Sequence, residues 1–166
     1  LFATDDIGKL KTSTAIKRLK KSNPLIELNN LAFNLTTENA LAIIEDYDIV
    51  VDCTDNFPSR YLINDACVLL GKPFVYGALH KFNGQLSVFN YNYGPTYRCL
   101  YPDVPKQDEV PNCSEVGVLG VLPSLIGTLQ ATEVIKIILE IGEVLSGKVL
   151  TYDLLSNQQN SISFSK

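Results

Sequence analysis

Methionine and tryptophan are absent from the 166 residues, and histidine occurs once, at His80. With no initiator methionine, and with Leu1-Phe2 running straight into Thr4-Asp5-Asp6, upstream sequence is expected to be missing. Only four cysteines are present, Cys53, Cys67, Cys99 and Cys113, and no two share a short paired spacing. This argues against a secreted disulfide framework and for a reducing cytoplasm. Cys53 in a strand and Cys67 in a helix read as small buried hydrophobes. Basic excess is lacking too: the formal net charge is -4, so no broad nucleic-acid footprint is expected. No run approaches the length of a membrane span, and no signal-peptide pattern follows Leu1, so no membrane partner is expected. Internal repeats and low-complexity tracts are absent.

What is present is an ordinary globular composition, 46 % apolar and 19 % charged, in a chain long enough for one domain with a sizeable core. Helical spacing predicts a helix over Thr12–Lys21 with Ala15, Ile16 and Leu19 inward; Asn23-Pro24 ends it. Leu25–Leu31 alternates as a strand. Thr36 or Thr37 caps a helix to about Glu45. Ile49–Asp52 reads as a strand, Pro58 opens a helix to about Leu70, and Phe74–Ala78 returns as a strand. This alternation predicts an α/β, Rossmann-like, mostly parallel sheet flanked by helices. The later pattern differs. Gly84–Tyr91 is an amphipathic strand, Asn92–Val116 a long irregular stretch, and Leu122–Gly142 a long apolar helix stopped by Gly142. Two further strands, Lys148–Tyr152 and Ser161–Phe164, supply antiparallel pairing in the C-terminal part.

The segment "DCTDNFPSRYLIND" turns polar where an apolar strand ends. Ligands of open α/β sheets bind outside the carboxyl ends of strands, and carboxylates there commonly hold Mg²⁺. Asp52, Thr54, Asp55 and Asn56 are equally the residues that turns and helix caps select. The basic run "KLKTSTAIKRLKK" reads on charge alone as a solvated helix face.

Taken in order, "DIGKLKT", "DCTDNFPSRYLIND", "YRCLYP" and "CSEVGVLGVLPSLIGTLQATEVIK" make the chain resemble the ThiF/MoeB/HesA family, relatives of the ubiquitin-activating enzymes. The resemblance covers essentially the whole chain. It implies an ATP-dependent adenylyltransferase that activates the C-terminal glycine of a ubiquitin-like sulfur carrier, similar to ThiS or MoaD, in thiamine or molybdopterin biosynthesis. It further implies that Asp55 holds Mg²⁺ and that Lys11 contacts the nucleotide phosphates with Lys9 as its near neighbour; Asn56 falls in the motif as part of the nucleotide site, with a structural role as an equal reading. Arg60 falls in the same motif, with a structural role as an equal reading. Cys113 sits where some relatives carry a thiol for sulfur or carrier transfer; a plain loop cysteine is the other reading. A homodimer and a sulfur donor are implied partners.

The chain departs from the family in two ways. The glycine-rich nucleotide loop, which supplies N–H donors to phosphate, lies upstream of "DIGK" and is not in these residues. Residues 1–166 are therefore expected to be a single domain, the carboxy-terminal two-thirds of an activating domain, with little activity in isolation. A non-catalytic carrier-binding or dimerisation fragment is the alternative. Many relatives bind zinc through two CxxC pairs, but Thr96 stands in the first pair here and only Cys99 remains, so no zinc is expected.

Overall fold

The computed structural model describes residues 1–105 and 117–166. They form two compact units, Leu1–Leu35 and Thr36–Lys166.

In the first unit, α1 spans Lys11–Ser22, close to the expected helix. The expected strand at Leu25–Leu31 does not form. Asn23 ends α1 and its Oδ1 accepts the Leu25 N–H at 3.0 Å, which turns the chain. Leu25 is exposed, and the segment has no ladder to any strand among the described residues. Alternation alone cannot make a strand without a partner for its backbone groups.

In the second unit, α2 (Ala40–Glu45) precedes β1 (Val50–Val51), α3 (Phe57–Leu70) and β2 (Phe74–His80). Pro58 lies in the first turn of α3, where its missing N–H has no partner to lose. Gly71 ends α3 in the left-handed region at φ 67°, a conformation with no steric cost for glycine. Then come β3 (Asn83–Phe89), the short α4 (Tyr97–Leu100), the long α5 (Leu122–Leu139), β4 (Lys148–Asp153) and β5 (Gln158–Ser163).

The five strands form one mixed sheet in the order β1-β2-β3-β4-β5. The α/β class and flanking helices agree with expectation, but the sheet is not mostly parallel. Among the described strands only β1 and β2 pair in parallel, with Val50 opposite Phe74 and Val51 opposite Val75. The other neighbours are antiparallel. The reason lies in the connections. Helix α3 gives β1 and β2 the long crossover that a parallel pair needs, whereas only Lys81 and Phe82 separate β2 from β3.

The core lies between the sheet and its helices. Phe74, Tyr76, Phe89 and Tyr97 are buried and form an aromatic cluster with centroid separations of 5.5–6.4 Å. Helix α5 buries Leu122, Ile126, Gln130 and Glu133, one stripe at helical spacing. At Gly84 an added Cβ would fall 2.5 Å from Ile126 Cδ1, so this glycine lets the helix approach the sheet. The buried Glu133 carboxylate accepts the Leu145 N–H at 2.9 Å and pairs with Lys136.

By length and composition α5 does match a membrane span, contrary to the sequence expectation. Its stripe is nonetheless bonded into the sheet, while Ile135, Ile138 and Leu139 are exposed. The helix ends at Leu139, with Glu140 rather than Gly142 taking the first left-handed position.

Candidate functional site

Strand β1 ends at Val51, and the chain turns through residues 52–56 into α3. Asp52 is fully buried there. Its Oδ1 accepts the Thr54 N–H at 2.8 Å and the Thr54 hydroxyl at 2.7 Å, while Oδ2 accepts Arg60 Nε at 3.3 Å. Arg60 also donates to the Thr54 carbonyl at 2.9 Å and lies over the rings of Tyr76 and Phe57, at 5.5 and 5.8 Å. Burial pushes the Asp52 carboxyl above its ordinary range, against the opposing pull of the Thr54 donors and of Arg60. Asp52 is thus the anchor of the turn.

Asp55, next along the turn from Thr54, is exposed. Asn56 caps α3, its Oδ1 accepting the Ser59 N–H at 2.9 Å, and its amide nitrogen donates to Asp55 Oδ1 at 3.3 Å. The expected pair is therefore brought together, and Asn56 orients Asp55. The same side chains that make a good turn and cap also present a carboxylate at the carboxyl end of the sheet. Cys53, expected in a strand and buried, instead follows β1 and is exposed; burial of its sulfur, then the Asp52 charge, push its thiol up. Cys67 is buried as expected, with its thiol pushed up to about 12.

Beside the turn is a cleft of about 250 Å³. Its lining includes Asp52, Asp55 and Arg60 from the turn and α3, Gly77 and Leu79 of β2, and Ile126, Gly127 and Gln130 of α5. The residues that sequence reasoning missed are Gln130 and Gly77. Gln130 is a polar residue on the apolar stripe of α5, and Gly77 interrupts a strand; both are visible signals without a visible partner.

Lys11 is the first residue of α1, in the other compact unit, and is exposed. Lys9 binds Asp6 at 3.2 Å, and Arg18 pairs with the same carboxylate, which lies below its ordinary range chiefly through the Ala3 N–H. Lys11 has no ion pair among the described residues. Cys113 lies outside the described residues.

A hard cation at the turn would meet Asp55, an exposed carboxylate that fits Mg²⁺ as one ligand beside waters and phosphate oxygens. The donor set at α4 does not fit zinc. Thr96 N–H donates to Cys99 Sγ at 3.4 Å and the Thr96 hydroxyl lies 3.4 Å from the same sulfur. No cluster of three His, Cys, Asp or Glu exists among the described residues. Instead α4 is clamped to α3. Asn64 Oδ1 accepts the Tyr97 N–H at 2.8 Å, Arg98 grips Asp65 through two bonds of 2.8 and 2.7 Å, and the single Tyr61 hydroxyl proton is shared between the carbonyls of Tyr101 and Asp103, whose oxygens lie 2.9 and 2.8 Å from the Tyr61 oxygen.

The fold is shared with E. coli MccB. Its crystal structure superposes with a TM-score of 0.80 over 100 % of this chain and 50 % of MccB, at 21 % identity. The structure of MccB with ATP gives 0.79. That likeness defines the fold. The family follows from the sequence match: the ThiF family model covers residues 1–166, and the chain belongs to the ThiF family. It is 50 % identical over 160 residues to the sulfur carrier protein adenylyltransferase of Thermus thermophilus, covering 93 % of this chain and 59 % of that protein. It is 44 % identical over 162 residues to adenylyltransferase and sulfurtransferase MOCS3 of Xenopus laevis, covering 98 % and 36 %. With the probable molybdopterin-synthase adenylyltransferase of Pyropia yezoensis it shares 44 % over 161 residues, covering 96 % and 43 %. The chain thus spans between about a third and three-fifths of the length of these relatives.

Proposed function

We propose that the full-length protein containing this chain is an adenylyltransferase that activates the C-terminal glycine of a ubiquitin-like sulfur carrier with ATP. The observation that carries this reading is Asp55, held outward by an Asp52-anchored turn beside a cleft, in a chain half identical to a sulfur carrier protein adenylyltransferase. The glycine carboxylate attacks the α-phosphorus, the bond to the bridging oxygen breaks, and pyrophosphate leaves with that electron pair. Two anions must approach, so positive charge near the triphosphate is required. Asp55 is the residue proposed to hold Mg²⁺, which when bound offsets phosphate charge. Asn56 acts through Asp55, and Lys11 supplies a cation to the phosphates.

The name of the Pyropia relative favours a carrier of the molybdopterin pathway over one of the thiamine pathway. A sulfur donor would convert the acyl adenylate to a thiocarboxylate, with Cys113 as the candidate thiol for that step. The exposed Ile135, Ile138 and Leu139 of α5 support a homodimer. The α3–α4 clamp supports a segment held without zinc.

The test is carrier-dependent ATP–pyrophosphate exchange by the full-length protein. Asp55→Asn should lower it by about 100-fold or more, the usual scale for losing a charge-stabilising group. Wild-type exchange in that variant would remove Asp55 from the site. No exchange by the wild type with any sulfur carrier would remove the function.

A further inference from the structure

The parallel ladder between β1 and β2 stops one rung early. Asp52 N–H donates to the Val75 carbonyl at 2.9 Å, and the last paired residues are Val51 and Val75. In a continuing ladder the Asp52 carbonyl would next accept a backbone N–H of β2. It accepts Gln130 Nε2 instead, at 2.7 Å, and the same nitrogen lies 3.4 Å from the Val75 carbonyl. Gln130 is only 4 % exposed, so this amide has left water for two backbone carbonyls. Gly77 makes room for it. A Cβ at Gly77 would lie 2.6 Å from Gln130 Cδ and 2.7 Å from Nε2.

We propose that Gln130 is a positioning residue of the adenylation site: its amide, seated over Gly77, replaces the next rung of the β1–β2 ladder and sets where the Asp55-bearing turn leaves the sheet. The inference rests on Asp55 as the proposed Mg²⁺ ligand. Asp52 is held at its backbone by Gln130 and at its side chain by Thr54 and Arg60. Asp55 follows three residues later. Because Gln130 belongs to α5, the same bond ties the turn to the helix that also lines the cleft.

Three variants of the full-length protein separate positioning from packing. Gln130→Met keeps an unbranched chain of similar length but cannot donate. Gly77→Ala keeps the amide and pushes it away. Val149→Ala is the packing control, since Val149 is buried on β4 and does not line the cleft. The first readout is amide hydrogen exchange, which needs no turnover. Gln130→Met and Gly77→Ala should each speed exchange at Asp52 and Thr54 by about tenfold, the scale of one hydrogen bond to a buried carbonyl. The double variant should be no faster than Gln130→Met, and Val149→Ala should leave these amides unchanged. The second readout is the Mg²⁺ concentration for half-maximal pyrophosphate exchange, expected to rise about tenfold in the first two variants only. Unchanged Asp52 and Thr54 amides in both would overturn the proposal, even if melting temperatures fall. Faster amides with unchanged Mg²⁺ dependence would overturn its functional half. Asp55→Asn, run alongside, tests the Mg²⁺ ligand itself: wild-type exchange there defeats that role whatever Gln130 does.

Discussion

Arg60 Nε lies 3.3 Å from Asp52 Oδ2 in a site where the carboxylate is fully buried and the guanidinium only 8 % exposed. This pair joins the residue that follows β1 to the first turn of α3, and so fixes the connection between them. A buried pair of this kind is costly to break from one side, because the remaining charge stays in a poor solvent.

Arg60→Leu is therefore expected to destabilise the chain by about 3–5 kcal/mol. Equilibrium urea unfolding checks this. A loss below about 1 kcal/mol would mean that Asp52 does not depend on its partner.

Asp52 gives stability a sign opposite to that of the paired surface carboxylates. Its folded value is raised by burial above the ordinary value of about 3.9, so the folded chain holds the proton more tightly than the unfolded chain. Its contribution is most favourable below the ordinary value, declines as pH rises through the raised folded value, and is flat above it. Subtracting the pH–stability curve of Asp52→Asn from that of the wild type should isolate this fall. Asp65, lowered chiefly by its bond from Arg98, contributes with the opposite slope and cancels in the difference. A difference curve that rises with pH would mean that the folded chain lowers the Asp52 carboxyl rather than raising it.

Lys9 and Lys11 make distinguishable predictions. Lys9 is paired with Asp6, whereas Lys11 has no ion pair among the described residues. In the full-length protein Lys11→Ala should reduce carrier-dependent ATP–pyrophosphate exchange by about 100-fold. Lys9→Ala should change it by less than about threefold, since an exposed pair contributes little. The reverse order of effects would move the phosphate role to Lys9.

Cys113 is expected to act after adenylation, which itself needs no thiol. Cys113→Ser should leave pyrophosphate exchange near the wild-type rate and reduce carrier thiocarboxylate formation with the sulfur donor. Mass spectrometry of the carrier reads the second step. Full thiocarboxylate production would leave Cys113 without a role in sulfur transfer.

Much of the element map is legible in the sequence. Helices α1 and α3, strands β2 to β5 and the start of α5 fall within a few residues of their predicted positions. Hydrophobic period, Pro58, Gly71 and the Asn23-Pro24 break are local signals, and local geometry obeys them. Asp55 and Asn56 are legible too, because a strand end followed by cap residues is itself a local pattern. The strand expected at Leu25–Leu31 does not form, as strand pairing needs a partner that local alternation does not supply. The mostly antiparallel pairing is not legible in the early strand–helix alternation, because β2–β3 and β4–β5 are joined by short connections and β3 and β4, although joined through α4 and α5, also run antiparallel.

By itself, then, the sequence determined the break after α1 at Asn23-Pro24, the start of α3 at Pro58 and its end at Gly71, and the ThiF-type order of its motifs, whereas the cap expected at Thr36 or Thr37 falls at Asn39. Only the tertiary structure decided that Gln130 meets Asp52 across 78 positions, that Gly77 must lack a side chain for it to do so, and that Asn64 and Asp65 hold α4. The physical reason is that a buried amide or carbonyl must find some partner, but its identity depends on which elements pack side by side. That arrangement is a property of the folded sheet and its helices together, and no local spacing encodes it.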